Sequence, residues 1–262
     1  FLCRFWGLSL NYNWNWLVFF DLEPGATGTY LSYLFGGLGW TVIAALASWI
    51  LALSLGTLVG VLRTLGNPVL EKVCFVYVEL FRNVPLLVQM FLWYFVLPEL
   101  LPPQMGDAIK QMPPPWASLV PAVLCLGLFT SVRVAEQVRS GLSAIPRGQK
   151  MAGMAIGLST WQVYRYVLMP IVTRIILPPL TSEFLNCTKN TSLALTIGLM
   201  ELTARARAMQ EFTFQVFEAF AAATLIYFMV NILVVLLSRR LESRLRIPGL
   251  IGSDSSRITA GH

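Results

Sequence analysis

The sequence predicts an all-α integral membrane protein with about five transmembrane helices. Three observations carry that prediction. The 262 residues are 56% hydrophobic and only 12% charged, with a mean hydropathy of +0.67, whereas a soluble domain carries about 25% charged residues. Too few ions remain to coat a water-facing surface. Charge-free apolar runs also reach the roughly 20 residues a helix needs to cross a bilayer. Finally, the positive side chains are clustered at Arg63, Lys72 and Arg82, again from Arg133 to Lys189, and a third time at Arg239, Arg240, Arg244, Arg246 and Arg257. Such clusters mark cytoplasmic loops, so the net charge of +6 is read as topology and not as a nucleic-acid patch.

The elements follow in order. Residues 1–35 form an N-terminal periplasmic or interfacial segment, in which Trp14, Trp16, Phe19 and Phe20 stand where interfacial aromatics belong. Residues 36–246 form the transmembrane domain. No charge occurs between Glu23 and Arg63, and Trp40 to Leu62 is the clearest span. The second span runs from about Val76 to Pro98, with Glu79 and Arg82 at its entry, and the third from Trp116 to Val132. Pro98, Pro102, Pro103 and Pro113 to Pro115 forbid a long helix in the loop between them. Leu180 to Met200 holds Glu183 and Lys189, yet it must cross if the second and third positive clusters are to lie on one side. The last span is Ala219 to Ser238, twenty residues without a charge. Five spans place the N-terminus outside and the C-terminus inside, with Arg205 and Arg207 left on the outer face. Residues 247–262 read as a disordered cytoplasmic tail.

Several chemistries are excluded. The one histidine is His262, so a His-based metal site or a Ser-His-Asp triad has no material. Cys3, Cys74, Cys125 and Cys187 share no ligand spacing and read as small apolar side chains. No GxxxxGK[ST] phosphate loop occurs. No second acid lies one helical turn from Glu79 or Glu136, so an intramembrane protease or acyltransferase lacks its groups.

The stretch Gly148 to Pro170 is set apart from this apolar chain. Met151, Met154, Ala155 and Leu158 share one helical face, with Gln149 and Lys150 elsewhere. Gly157, free to take positive φ, ends that helix. Ser159 and Gln162 then form a capping box, and Leu158 and Val163 are spaced as a hydrophobic staple. Pro170 stops or bends the second helix. Such a unit is either an amphipathic connector in the headgroups or a docking element with a re-packable Met face.

Gly148-Gln149, Ala152, Gly157 and Val167-Leu168-Met169-Pro170 resemble the "EAA" loop of ABC importer permeases. Met151 stands where that family often has Glu, Gly153 where it has Ala, and Met169 where it has Leu. Tyr77 to Pro98 and Leu126 to Lys150 are similar to segments of the polar amino acid permeases, those of glutamate/aspartate importers above all, over roughly Asn13 to Pro248. The resemblance implies a coupling helix built from Gly148, Gln149, Met151, Ala152, Met154, Ala155, Gly157 and Pro170, in the cytoplasmic loop between spans three and four. It also implies a bacterial inner-membrane location and uptake of glutamate, aspartate or another polar amino acid. The expected partners are a dimer of ATP-binding subunits, a second homologous permease chain and a periplasmic substrate-binding protein. Cofactors, ATP with Mg, would be held by the ATPase partner and none by this chain.

Three polar groups are candidates for the pathway or its gate. Arg133, Glu136 and Arg139 lie three apart on one face, as an ion-pair ladder or an inner gate. Glu79 and Arg82 can pair at i,i+3 where span two begins, and Gln89 lies further along it. Lys189, Asn190 and Thr191 place polar atoms deep in span four, either facing a cavity or joining helices. The competing class is an ion-gradient-driven transporter, which favours inverted repeats and broken helices; the sequence has no repeat.

Overall fold

A computed structural model describes residues 12–23 and 28–245. Arg246, Arg257 and the tail, with Cys3 and His262, lie outside the described residues. Among those described, the chain is helical between its loops, and one isolated bridge joins Leu22 to Thr29. The long helices are α1 (Tyr30–Leu62), α6 (Trp116–Ser143), α9 (Met169–Asn190) and α11 (Val216–Leu245); the shorter are α2 (Pro68–Asn83), α3 (Leu86–Phe91), α4 (Leu97–Leu100), α5 (Pro103–Lys110), α7 (Arg147–Ala155), α8 (Thr160–Gln162) and α10 (Leu202–Thr213). Among the described residues, four helical stretches are long and apolar enough to cross a membrane, and five if the bent pair at Val84–Pro85 counts as one span. The all-α, multi-pass expectation holds.

The span limits differ from the sequence reading in three places. The first helix begins at Tyr30, ten residues before Trp40, because a packed helix tolerates the glycines at 36, 37 and 39. The second span is not continuous. Val84 is extended (φ −98°, ψ 129°), the conformation a following proline imposes, and Pro85 separates α2 from α3. α2 therefore stands as its own helix, opened by Asn67, whose side chain accepts from the Val69 and Leu70 N–H groups. The fourth span is far longer than Leu180 to Met200. Helix runs from Thr160 through a π-helical stretch Val163–Leu168 and α9, then tightens into a 3-10 stretch Thr191–Ile197. Pro170 does not stop it. The wider π turn lies directly before the proline and takes up the i−4 clash that would otherwise break the helix.

The chain divides into two compact units. Unit 1 comprises Phe1–Ala47, Leu87–Leu124 and Thr188–Met229. Its core joins Val18, Tyr30, Leu34, Leu202, Ala206, Met209, Ala219 and Ala223. Unit 2 comprises Ser48–Leu86, Cys125–Cys187 and Val230–His262. Its core gathers Ala52, Val134, Val138, Val163, Tyr164, Leu168, Val172 and Ile176. Within unit 2, α1 and α6 come into backbone contact. A Cβ on Gly56 would lie 2.6 Å from the Ser131 carbonyl, and one on Gly60 2.8 Å from that of Ala135. Gly56 and Gly60 thus form a GxxxG face, the small-residue packing that membrane helices use in place of a hydrophobic drive. The three described cysteines, Cys74, Cys125 and Cys187, are buried and unpaired, as packing residues.

Candidate functional site

The loop Gly148–Pro170 folds into a rigid unit inside unit 2. α7 ends in a Schellman arrangement: Gly157 sits at φ +87°, its N–H donates to Met154 O (3.0 Å), and Leu158 N donates to Gly153 O (3.2 Å). Ser159 opens α8 with both arms of the capping box, Ser159 N to Gln162 Oε1 (2.8 Å) and Gln162 N to Ser159 Oγ (3.3 Å). Val163 is fully buried and Leu158 packs against the same core. A residue without any motif of its own completes the seat. Buried Tyr164 donates its hydroxyl to the Thr64 carbonyl (2.9 Å) beyond the end of α1, and the Lys150 ammonium lies 5.7 Å from its ring centre.

The outer face of this seat is bare and apolar. Met151 and Met154 are 63% and 51% exposed, and Ile156 and Trp161 are 78% and 69% exposed. Ala152 and Ala155 are exposed beside them, with Gly148, while Gln149 is half-buried.

A second cluster in unit 2 concentrates charge. Arg63 donates to Glu136 at 2.5 Å, and Arg139 holds the other carboxylate oxygen at 3.2 Å. Arg133 does not join this pair. It lies 3.8 Å from Glu183 and over the Phe129 ring, 5.3 Å from its centre. The expected ladder therefore survives only between Glu136 and Arg139. Partners 73 residues apart for Glu136 and 50 apart for Arg133 leave no local signal in a sequence. Glu79 and Arg82 do not pair either, because Asn83 takes the Glu79 carboxylate at 2.7 Å, an i,i+4 contact within reach on a helix.

Arg82, Arg133, Glu136 and Glu183 line a cavity of about 530 Å³, with Phe129, Val132 and Gln137 completing its wall. Glu183 Oε2 is buried there without a hydrogen bond. The site thus offers two guanidinium groups and a carboxylate with spare acceptor capacity, a set that matches a molecule carrying both charges.

The remaining candidates lie in unit 1. Gln89 is 4% exposed. Lys189 is exposed and Asn190 half-buried. Thr191 is buried and returns its hydroxyl to its own helix at Thr188 O (2.7 Å). Its hydroxyl therefore serves the change from α9 to the 3-10 stretch.

Unit 1 has its own buried acid, Glu201, which the sequence reading passed over. It caps α10, accepting from Ala204 N (2.8 Å) and Thr203 N (3.0 Å), and it takes a third bond from the Tyr227 hydroxyl (2.8 Å). Burial pushes its carboxyl above the ordinary carboxylate range, against the pull of those donors. Arg205, an outside positive by the sequence reading, is absorbed locally. It donates to the Tyr33 carbonyl (2.8 Å) and stacks 4.6 Å from the Tyr33 ring centre, while Arg207 pairs with Glu211 at 2.9 Å.

Comparison with known proteins agrees with this anatomy. Residues 52–247 match the model of the family described as "Binding-protein-dependent transport system inner membrane component". The chain is 42% identical over 93% of its length, and 99% of the relative's, to the glutamate/aspartate import permease protein GltJ of Escherichia coli (strain K12). It is 32% identical over 79% of its length, and 89% of the relative's, to the glutamine transport system permease protein GlnP of the same organism. Among solved structures, it matches an amino acid ABC transporter crystallised with histidines at TM-score 0.69 and 26% identity, covering 82% of this chain and 95% of that one. The MetNI methionine ABC transporter shares the fold at TM-score 0.63 and 16% identity, over 83% of this chain and 96% of that one. A multi-pass helical domain carrying a rooted helix–turn–helix loop, matched by this family model over three-quarters of its length, belongs to the binding-protein-dependent transport system inner membrane components, the permeases of ABC importers.

Proposed function

We propose that this chain is one of two permease subunits of a bacterial importer for glutamate and aspartate, driven by ATP hydrolysis on a separate pair of subunits. The observation that carries the mechanism is the bare Met151, Met154, Ile156 and Trp161 face on a loop otherwise fixed by Gly157, Ser159 and Tyr164. A rigid unit with a flexible apolar face suits docking into a partner that changes shape. Closure of the ATPase pair would push on α7, and Tyr164 would pass the push to the end of α1. The loop then lies in the cytoplasm with the C-terminus, and the N-terminus lies outside, as the positive clusters favour.

The cavity gives the substrate's path its chemistry. Arg82 and Arg133 would take the carboxylates of an acidic amino acid, and Glu183 its ammonium. Glu136, held by Arg63 and Arg139, would keep the wall shut until those pairs part. Lys189 and Gln89 are assigned to the pathway on the sequence alone. The 42% identity to a glutamate/aspartate permease supports the acidic substrate over glutamine. A binding protein outside would deliver it.

The test is uptake of labelled glutamate into vesicles that hold the assembled importer, with the binding protein outside. The expected result is uptake that needs internal ATP, competition by aspartate stronger than by glutamine, and loss of transport in Arg133→Gln. Uptake driven by an ion gradient without ATP would overturn the mechanism. Preferential competition by glutamine would overturn the substrate.

A further inference from the structure

We propose that Trp14 to Leu22 is a membrane anchor that lies in the headgroup layer, strapped across the first turn of α11. The short 3-10 helix Trp16–Phe20 has two sides. Val18 is buried and Phe19 packs on the core of unit 1. On the opposite side Trp16, Leu17, Phe20 and Leu22 are between 52% and 73% exposed, and the one charged side chain from Tyr12 to Leu22 is the exposed Asp21. A water-facing turn would not carry such a wall.

The position of the strap fixes its depth. Asn15 donates its N–H to Glu218 Oε1 at 2.8 Å, and Tyr12 donates its hydroxyl to Oε2. Trp14 lies 5.5 Å from the Phe217 ring and stacks on Trp16 at 5.9 Å with ring planes 8° apart. Tyr12 meets the Phe217 ring edge-on at 4.8 Å. Phe217 and Glu218 directly precede the charge-free run Ala219 to Ser238. Twenty residues at 1.5 Å rise cover about 30 Å, the hydrocarbon thickness. The strap therefore sits where hydrocarbon gives way to headgroups, the layer in which Trp and Tyr concentrate.

Two further features select lipid as the occupant. The exposed wall continues onto α11 through Phe220, Leu225, Phe228 and Met229, all exposed along a spanning helix. Glu218 is fully buried and turned to the strap, so the outward surface keeps its apolar wall, with Tyr12, Trp14, Asn15 and the exposed Asp21 at its edge. The strap thus does two things: it satisfies Glu218 at the membrane boundary and fixes the end of α11 at that depth.

The test is spin-label depth measurement on the assembled importer in phospholipid nanodiscs, with labels at Leu17→Cys and, separately, Phe20→Cys, over the background of the labelled wild type. Collisions with oxygen exceeding those with a water-soluble nickel chelate at both sites, at a headgroup-level depth, would establish the anchor. Higher collision with the nickel chelate would show a water-exposed segment and overturn it. Shielding from both probes with an immobilised spectrum would show a protein partner, either the second permease chain or the binding protein, and would also overturn it. Adding Glu218→Gln to the Leu17→Cys chain should raise label mobility; an unchanged spectrum would remove Glu218 from the role of tether.

Discussion

At Glu136 one carboxylate answers two arginines, and the Arg63 side chain is only 10% exposed. Removing the acid leaves that guanidinium short of a partner, which costs about 1–3 kcal/mol at a partly buried site. Glu136→Gln should therefore lower the thermal midpoint of the purified chain in detergent. Arg63→Met with Glu136→Gln should recover part of the loss, because replacing both members of a pair leaves no orphan charge. A double variant less stable than the single would contradict the pairing. Glu201 makes a parallel case. Glu201→Gln keeps the shape but halves the acceptors that serve Ala204, Thr203 and Tyr227, and the same melting assay should register a loss of about 1–3 kcal/mol. These residues also mark where sequence reading ends. The Ser159–Gln162 box is legible because its partners are three apart. Arg63 with Glu136, and Arg133 with Glu183, meet only after folding, so the sequence offers a ladder of near neighbours instead.

Individual helices are decided by small residues and prolines. Gly56 and Gly60 place α1 against the α6 backbone, where an added Cβ would meet carbonyls of α6. Gly60→Val should separate the two helices and cost more than the roughly 0.3 kcal/mol by which valine otherwise improves on glycine in a helix. Thermal stability and protease resistance of the inserted chain would both fall, whereas Gly39→Val, at an open position, should leave them near wild type. Equal behaviour of the two variants would refute the close contact. The GxxxG spacing was visible in the sequence, but hydropathy alone treats it as ordinary span. The same blindness made one span of Val76 to Pro98, since an apolar run with Pro85 inside scores like one without it. Leu180 to Met200 shows the opposite effect. Glu183 and Lys189 lower the hydropathy locally, yet the helix continues on both sides because Glu183 faces Arg133 and not lipid. At the Gly148–Pro170 loop, Tyr164→Phe should preserve folding and weaken transport, since it removes the hydroxyl that ties the loop to Thr64.

For the whole molecule, the five candidate spans among the described residues, counting the bent pair, give the parity that the alternation of positive clusters requires. Arg205 and Arg207, which that alternation leaves outside, are held by the Tyr33 carbonyl and ring and by Glu211, so they need no cytoplasmic placement. Family membership was legible because the Gly148–Pro170 loop is a local pattern with fixed spacing. The cavity was not, since its lining comes from three separate stretches of chain. The proposed conversion of ATPase closure into movement of the spans by α7 is best checked by measuring transport and ATP hydrolysis together in the assembled importer carrying Gly157→Pro. Proline holds φ near −65° and cannot adopt the +87° of this turn, so the docking face should lose its rooting while the spans remain inserted. Basal hydrolysis without substrate stimulation and no glutamate uptake are the expected result. Normal uptake by the inserted variant, with hydrolysis still rising on addition of loaded binding protein, would contradict it.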